Sequence, residues 1–227
     1  MSSFALASTR QHVWHRWVLF GTPLMLGVLE LGHPLLNHED TIGMLRPIAA
    51  WWIVLHLLLV PLFVLMGWTF FLLLRGVENR AATLSRYATV VYVAFSIGYD
   101  TMVGLGSGIM VSTALPLPSA QQVIVQQTLR GLYTNPATLV SYYILLGSGL
   151  VAIGAMLWAL AQEGVPLVPL LVLAGTGFSA YSHALPFGPM GSVCFLLAAL
   201  WIELVWRRSR EQKAEVSAAE PALQGRK

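Results

Sequence analysis

Six ionisable side chains stand within otherwise apolar stretches of this 227-residue sequence: Glu30, His33, His56, Asp100, His183 and Glu203. Such groups are costly at membrane depth and usually face a bundle interior or a water-filled cavity, so each is a functional candidate. Carboxylates and imidazoles together form the oxygen and nitrogen donor set that suits zinc or iron. The sequence therefore predicts a metal site, and its candidate ligands are Glu30, His33, His56, Asp100 and His183.

Glu30 and His33 have the Glu-x-x-His spacing, which places a carboxylate and an imidazole side by side on one helix face. Di-iron helix bundles use this spacing in duplicate. Only one copy occurs here, so the pattern indicates metal ligation without identifying a family. A bound metal could activate water for hydrolysis, and a metal-dependent membrane enzyme is the first hypothesis.

Three other functions could use the same residues. Two histidines could ligate a haem, although the predicted depths of His56 and His183 differ by about 9 Å. Glu30, Asp100 and His56 could carry protons or cations in a small-molecule transporter. The sequence shows no inverted repeats and few polar residues in the inner half of the membrane, which weakens the transporter hypothesis. A non-catalytic scaffold would use these residues only to fix helix register, and the sequence identifies no substrate.

The composition places the chain among integral membrane proteins. Hydrophobic residues make up 56% and charged residues only 10%, against roughly 25% charged in ordinary soluble domains. The net charge of +3 comes from basic residues that flank apolar segments and form no basic face. We therefore expect an all-α helix bundle in a lipid bilayer, with an ion or small-molecule ligand and no nucleic acid partner.

Six apolar segments approach or exceed the roughly 20 helical residues that cross a bilayer core of about 30 Å. The predicted organisation is a cytoplasmic N-terminus (1–16), a six-helix transmembrane domain (17–206) and a flexible cytoplasmic tail (207–227). The predicted spans cover about residues 17–36, 48–74, 87–111, 138–161, 165–183 and 189–206.

The basic residues predict the orientation of these spans. Of the 13 lysines and arginines, only Arg46 and Arg130 lie on the side opposite the termini. The positive-inside rule then places both termini in the cytoplasm. Glu203, four residues before Arg207, is expected to form a salt bridge at the cytoplasmic end. The excess of arginine over lysine is typical of GC-rich bacterial genomes, which favours the bacterial inner (plasma) membrane.

This orientation converts sequence position into depth, because an α-helix rises 1.5 Å per residue. Glu30 and Asp100 each lie about 20 Å along a helix that runs from the cytoplasmic side outward. Both are therefore about 10 Å below the outer boundary of the bilayer core. His33, His56 and His183 fall at depths of about 6, 12 and 3 Å. The five side chains thus share one level, and we expect an outward-opening pocket between the first, second, third and fifth spans.

The third span carries a stripe of residues with a four-residue spacing, Ser96, Asp100, Gly104 and Gly108. Small residues at this spacing allow membrane helices to approach closely. We expect the stripe to pack against glycine-containing faces of the fourth and fifth spans, with Asp100 in the seam.

The longest connection, residues 112–136, contains a candidate surface helix. Ser119 and Gln122 have the spacing of a capping box. An apolar stripe follows the same helical period and comprises Ala120, Val123, Ile124 and Leu132. The pattern favours a passive interfacial helix over residues 119–132 rather than a mobile lid over a site.

Overall fold

The computed structural model describes residues 14–210 and 212. Within these residues the chain forms helices joined by short connections, and it contains no β-strand. The predicted N-terminus 1–16 and tail 207–227 lie largely outside the described residues. In chain order, α1 comprises a π-helical turn, Trp17–Gly21, and Thr22–Glu30; α2 is Thr41–Leu45; α3 is Ala49–Leu73; α4 is Arg80–Ala114; α5 is Ser119–Thr134; α6 is Pro136–Gln162; α7 comprises Leu167–Ala174 and Gly177–Tyr181; and α8 is Phe187–Trp201, continued by π-helical Ile202–Trp206.

Four of the described helices, α3, α4, α6 and α8, are long and apolar enough to cross a membrane. Their outward faces expose large apolar side chains, as Val54, Leu57 and Leu65 do on α3. Exposed apolar faces on long helices suit a hydrocarbon solvent, so the chain has the architecture of a membrane protein. The apolar helix α7, Leu167–Tyr181, is shorter than these four.

The first helix ends earlier than the sequence pattern predicts. Its last residue is Glu30, and residues 33–37 continue as an irregular segment. Pro34 explains the difference, because a proline ring disfavours the α-helical conformation of the preceding residue, His33. Glu30 and His33 therefore do not share a helix face as predicted, and the backbone N–H of His33 donates to the Glu30 carbonyl at 3.1 Å.

The small-residue stripe of α4 packs against α3, not against the glycine faces of the later helices as predicted. A Cβ atom placed on Gly108 would lie 2.8 Å from side-chain atoms of both Trp52 and Ile53. The opposite contact of α4 is with α6, where the buried hydroxyl of Ser85 donates to the Ala152 carbonyl at 2.8 Å. Helix α4 is thus fixed between α3 and α6.

One end of the bundle, which we call the arginine end, closes around the C-terminus of α3. Arg86 donates to the Leu74 carbonyl at 2.9 Å, and Arg207 donates to the Leu73 carbonyl at 2.6 Å. These bonds satisfy carbonyls that have no partner within the helix. The predicted pair of Glu203 with Arg207 is present at 3.1 Å, and Arg75 binds the same carboxylate from the α3–α4 connection.

Helix α5 lies at the other end of the bundle, which we call the α5 end. The predicted helix is present, but the capping box is wrong, because Pro118 occupies the N-cap position and no side chain caps the helix. Gln122 instead donates to the Leu117 carbonyl at 2.9 Å. Proline fixes the chain direction before the helix and leaves Ser119 as its first residue.

The two faces of α5 have different partners. Val123 and Ile124 in the predicted apolar stripe are 56% and 61% exposed. On the other face, Gln126 accepts from the backbone N–H of Ile42 at 2.9 Å and donates to the His38 carbonyl at 3.1 Å. Hydrogen bonds of Gln126 therefore hold helix α5 against the connection between α1 and α3.

The arginine end gives the first prediction. Glu203→Gln removes the charge between Arg75 and Arg207, so we expect it to lower the free energy of unfolding by about 1–3 kcal/mol. Thermal unfolding of the detergent-purified protein measures the effect. The matched control, Glu163→Gln, loses only an exposed pair with Arg210 at 3.2 Å and should cost less than about 0.5 kcal/mol. Equal losses in the two variants would contradict this account.

Candidate metal centre

His33 is held where the irregular segment after α1 crosses the bundle. Its carbonyl accepts from the Leu185 N–H at 3.2 Å, which ties it to the segment before α8. Its Nδ1 lies 3.1 Å from the Pro34 carbonyl. A carbonyl can only accept, so Nδ1 carries the proton and Nε2 presents a lone pair. That Nε2 atom is buried and has no hydrogen-bond partner among the described residues.

His56 presents its ring in the same way from α3. Its Nδ1 donates to the Trp52 carbonyl one helical turn earlier, at 2.8 Å. The Trp52 indole donates in turn to the Gly104 carbonyl of α4 at 2.8 Å, which fixes α3 against α4. A metal-binding histidine usually has its second ring nitrogen fixed by such a bond. The Nε2 atom of His56 is therefore directed at the acidic residue opposite.

That acidic residue is Asp100, which lies at the first position of a π-helical stretch of α4, Asp100–Leu105. Its side chain is only 2% exposed. Within the described residues neither carboxylate oxygen accepts a hydrogen bond. Oδ1 lies 3.7 Å from Nε2 of His56 and 3.4 Å from Nε2 of His183. Both imidazoles approach the carboxylate without forming a short hydrogen bond to it.

The third imidazole, His183, follows the last turn of α7. Its ring centroid lies 4.5 Å from that of His33 and 6.1 Å from that of His56. One nitrogen from each of the three rings lies within 4.8 Å of the other two. Ligands about 2.0–2.1 Å from a zinc ion in tetrahedral geometry lie about 3.3 Å apart. The spacing of the three nitrogens is therefore within a small side-chain adjustment of a metal site.

Glu30 is the one predicted ligand that the structure places outside this cluster. Its buried Oε2 accepts from the Ser192 hydroxyl of α8 at 3.0 Å. Its carboxyl group lies against Gly188 in the first turn of α8, where an added Cβ would be 2.8 Å from Glu30 Cδ. Glu30 and His183 both line a small cavity of about 20 Å³, which is separate from the larger cavity next to the cluster.

The larger cavity, which we call the central cavity, has a volume of about 190 Å³ and is lined by all three histidines and Asp100. Its wall is rich in aromatic side chains, which include Phe63, Tyr92, Tyr99, Tyr133, Tyr142 and Tyr181. On the α5 side, His38 stacks on Tyr133 with ring centroids 4.0 Å apart. Burial lowers the pKa of His38 more than the Glu39 carboxylate raises it.

The sequence pattern missed the residues that orient the ligands. Trp52 precedes His56 by one helical turn, so a shared face was visible in the spacing. Gly104 was assigned only to packing, yet a Cβ atom there would lie 2.9 Å from Cγ of the His56 ring and closer still to its Cδ2 and Nε2 atoms. Ser192 in an apolar span gave no signal that it would bind Glu30.

Comparisons with protein-family models, with curated proteins and with solved structures find no match for this chain.

The contact between Gly104 and His56 yields a second prediction. Gly104→Ala places a methyl group in the space of the imidazole, so we expect the ring to be displaced and the affinity for a divalent metal to fall by about 10–100-fold. Zinc titration of the purified protein measures the affinity. Gly98→Ala is the matched control on the same helix, because a Cβ there meets nothing within 4 Å. The account fails if both variants bind zinc as the unsubstituted protein does.

Proposed function

We propose that this chain is a multi-pass membrane enzyme with a mononuclear metal centre, of zinc or iron, that hydrolyses its substrate. His33, His56 and His183 are the proposed ligands. One observation carries the proposal: three imidazole nitrogens converge within 4.8 Å beside a buried carboxylate that has no hydrogen-bond partner among the described residues. A divalent cation would satisfy both the lone pairs and the negative charge.

The donor set fits catalysis better than a purely structural site. Catalytic zinc has three protein ligands and leaves the fourth position to water, whereas structural zinc takes four protein ligands. The three histidines match the ligand count of a catalytic zinc site. Asp100 lies next to two of them, at 3.4 and 3.7 Å, where its carboxylate can accept a proton from metal-bound water and later return it to the leaving group.

Glu30 has a supporting role in this proposal. Its hydrogen bond from Ser192 and its contact with Gly188 place the carboxyl group behind His183 and away from the central cavity. It would hold the start of α8, and with it the His183 segment, in position. The five predicted ligands thus divide into three ligands, one proton acceptor and one positioning residue.

The other functions that the sequence left open have less structural support. The central cavity of about 190 Å³ is smaller than the roughly 300–1,000 Å³ of pockets for drug-sized ligands, and a haem is at least that large. A transporter would need polar groups leading to the arginine end, where buried Glu203 is already paired with Arg75 and Arg207. A scaffold would not require a buried Asp100 carboxylate that accepts no hydrogen bond from the described residues.

For the membrane arrangement we propose six spans with both termini in the cytoplasm, in the inner membrane of a bacterium. Helices α1 and α7 would complete the set, and the irregular segments after them would lie at membrane depth. Such segments are tolerated where they line a cavity, as His33 and His183 do here. The arginine end would face the cytoplasm by the positive-inside rule, and the central cavity would open toward the outer side.

Cysteine labelling of intact cells tests this orientation, after the native Cys194 has been replaced by alanine. Gln127→Cys on the exposed face of α5 should react with a membrane-impermeant maleimide from outside. Gln162→Cys at the end of α6 should react only after permeabilisation, because it lies at the other end of the bundle. The reverse pattern would overturn the orientation, and labelling of both positions from outside would overturn the span count.

Metal content tests the proposed ligands. We expect about one zinc or iron per chain by elemental analysis, and His56→Ala should weaken binding by more than about 100-fold because it removes a ligand. Asp100→Asn should retain the metal with at most about 10–100-fold weaker binding. The control His15→Ala lies outside the cluster and should bind normally. A His56→Ala variant that retains full metal affinity would refute the ligand assignment.

A further inference from the structure

The central cavity is too small to enclose a large substrate. Its volume of about 190 Å³ lies below the roughly 300–1,000 Å³ that encloses a drug-sized molecule. A substrate of ordinary size would place only its reacting group beside the histidines. The rest of that molecule must extend through the cavity mouth.

The cavity mouth is edged by apolar and aromatic side chains. Leu35 and Tyr181 line the cavity and are also 61% and 52% exposed, so the cavity wall reaches the protein surface at these residues. Tyr142 and Leu145 of α6 also line the cavity, and the Tyr142 hydroxyl donates to the Tyr181 carbonyl at 3.1 Å. We call these four residues the mouth residues. They offer hydrocarbon contact and one pair of hydroxyl groups, but no charge.

The mouth also lies at a depth where lipid chains are found. Leu145 is about 14 Å along α6 from Pro136 at its α5 end. Its neighbour Ile144 has an exposed side chain, as the lipid-facing surface of a spanning helix requires. On the α5 side, the stacked rings of His38 and Tyr133 both line the cavity. The apolar stripe of α5, with Val123 and Ile124 exposed, suits a helix that lies in the membrane interface.

The charge of the cavity lining limits the reacting group. Among the described residues, no lysine or arginine lines the central cavity, and Asp100 is the one carboxylate that does. Phosphate groups are normally bound by arginine, lysine or helix N-termini, and burying an uncompensated anion is costly. A phosphate ester would also repel Asp100. An uncharged carbonyl group meets neither penalty.

We propose that the substrate is a long-chain membrane lipid whose scissile bond is an uncharged carboxylic ester or amide. The hydrocarbon chain leaves the central cavity past the mouth residues into the outer leaflet. This inference rests on the proposed metal-dependent hydrolysis and specifies its substrate class.

In the reaction, the oxygen of metal-bound water forms a bond to the carbonyl carbon while Asp100 takes the proton of that water. The bond from the carbonyl carbon to the alcohol oxygen or amine nitrogen then breaks. The leaving group takes the proton from Asp100, and the acyl group departs as a fatty acid. Water is the only co-reactant, and no electron is transferred.

Ligand binding to the full-length protein tests the substrate class without requiring turnover. Cobalt(II) replaces the native metal, and its visible absorption reports ligands that reach the ion. The probes are dodecanohydroxamic acid, acetohydroxamic acid and dodecyl phosphate, in lipid nanodiscs. We expect the long hydroxamate to bind at least about tenfold more tightly than the short one, because its chain is buried at the mouth, and dodecyl phosphate not to perturb the spectrum.

Two tryptophan substitutions test where the hydrocarbon chain of the ligand lies. Leu145→Trp fills the mouth, so it should weaken the binding of dodecanohydroxamic acid by about tenfold or more. The affinity for acetohydroxamic acid should not change. Ile144→Trp, on the exposed face of the same helix, is the control and should change neither affinity.

The outcomes separate the two proposals. A protein that binds no cobalt overturns the metal centre. A protein that binds cobalt but takes the two hydroxamates equally well, or prefers dodecyl phosphate, overturns the lipid substrate and leaves the metal centre intact. Hydrolysis of p-nitrophenyl dodecanoate in preference to p-nitrophenyl acetate, relative to their rates with hydroxide, would support both, and the opposite preference would overturn the lipid substrate.

Discussion

A carboxylate buried without a hydrogen-bond donor is the constraint on which this structure depends. Asp100 is 2% exposed, and among the described residues its neighbours are imidazoles whose nitrogens approach no closer than 3.4 Å. The desolvation of an isolated carboxylate costs several kcal/mol. A cation shared with the three histidines removes that cost, which is why the proposed metal accounts for more of the arrangement than helix packing alone.

The three proposed ligands come from separate parts of the chain, and backbone contacts fix two of them. His33 is tied by its carbonyl to the Leu185 N–H, and His56 is tied to its own helix through the Trp52 carbonyl. Gly104 lets α4 approach α3 until the His56 ring fills the gap. These contacts restrict the rings before any ion binds, and such preorganisation lowers the entropy that metal binding has to overcome.

Helix length and hydropathy were enough to predict that the side chains of the cluster lie in one half of the bundle. Counting residues along spans gave predicted depths of about 12, 10 and 3 Å for His56, Asp100 and His183, and the structure brings their side chains together. Counting along a helix gives height reliably because the rise per residue is nearly constant. The membrane setting follows from composition, since few soluble chains contain so small a share of charged residues. The all-helical fold follows from that setting and from the lengths of the apolar segments.

Rotation about the helix axis was less predictable than height. A four-residue spacing advances about 40° per step in an ideal α-helix, so a stripe from Ser96 to Gly108 would wind away from a straight neighbour. The π-helical stretch Asp100–Leu105 adds residues to the turn and keeps the stripe facing α3. Local sequence did not reveal that stretch, nor which helix the stripe would face, because both depend on contacts between distant segments.

The two buried carboxylates of the predicted set have different surroundings. Glu30 lies against the first turn of α8, where the positive end of the helix dipole favours negative charge, and Ser192 donates to its Oε2 at 3.0 Å. Its Oε1 has no hydrogen-bond partner among the described residues, so protein groups compensate Glu30 only in part. Asp100 receives no comparable donor from the described residues, and the groups around it present lone pairs instead. Two carboxylates at the same predicted depth thus have different proposed roles, a positioning group at Glu30 and the acidic neighbour of the proposed metal centre at Asp100.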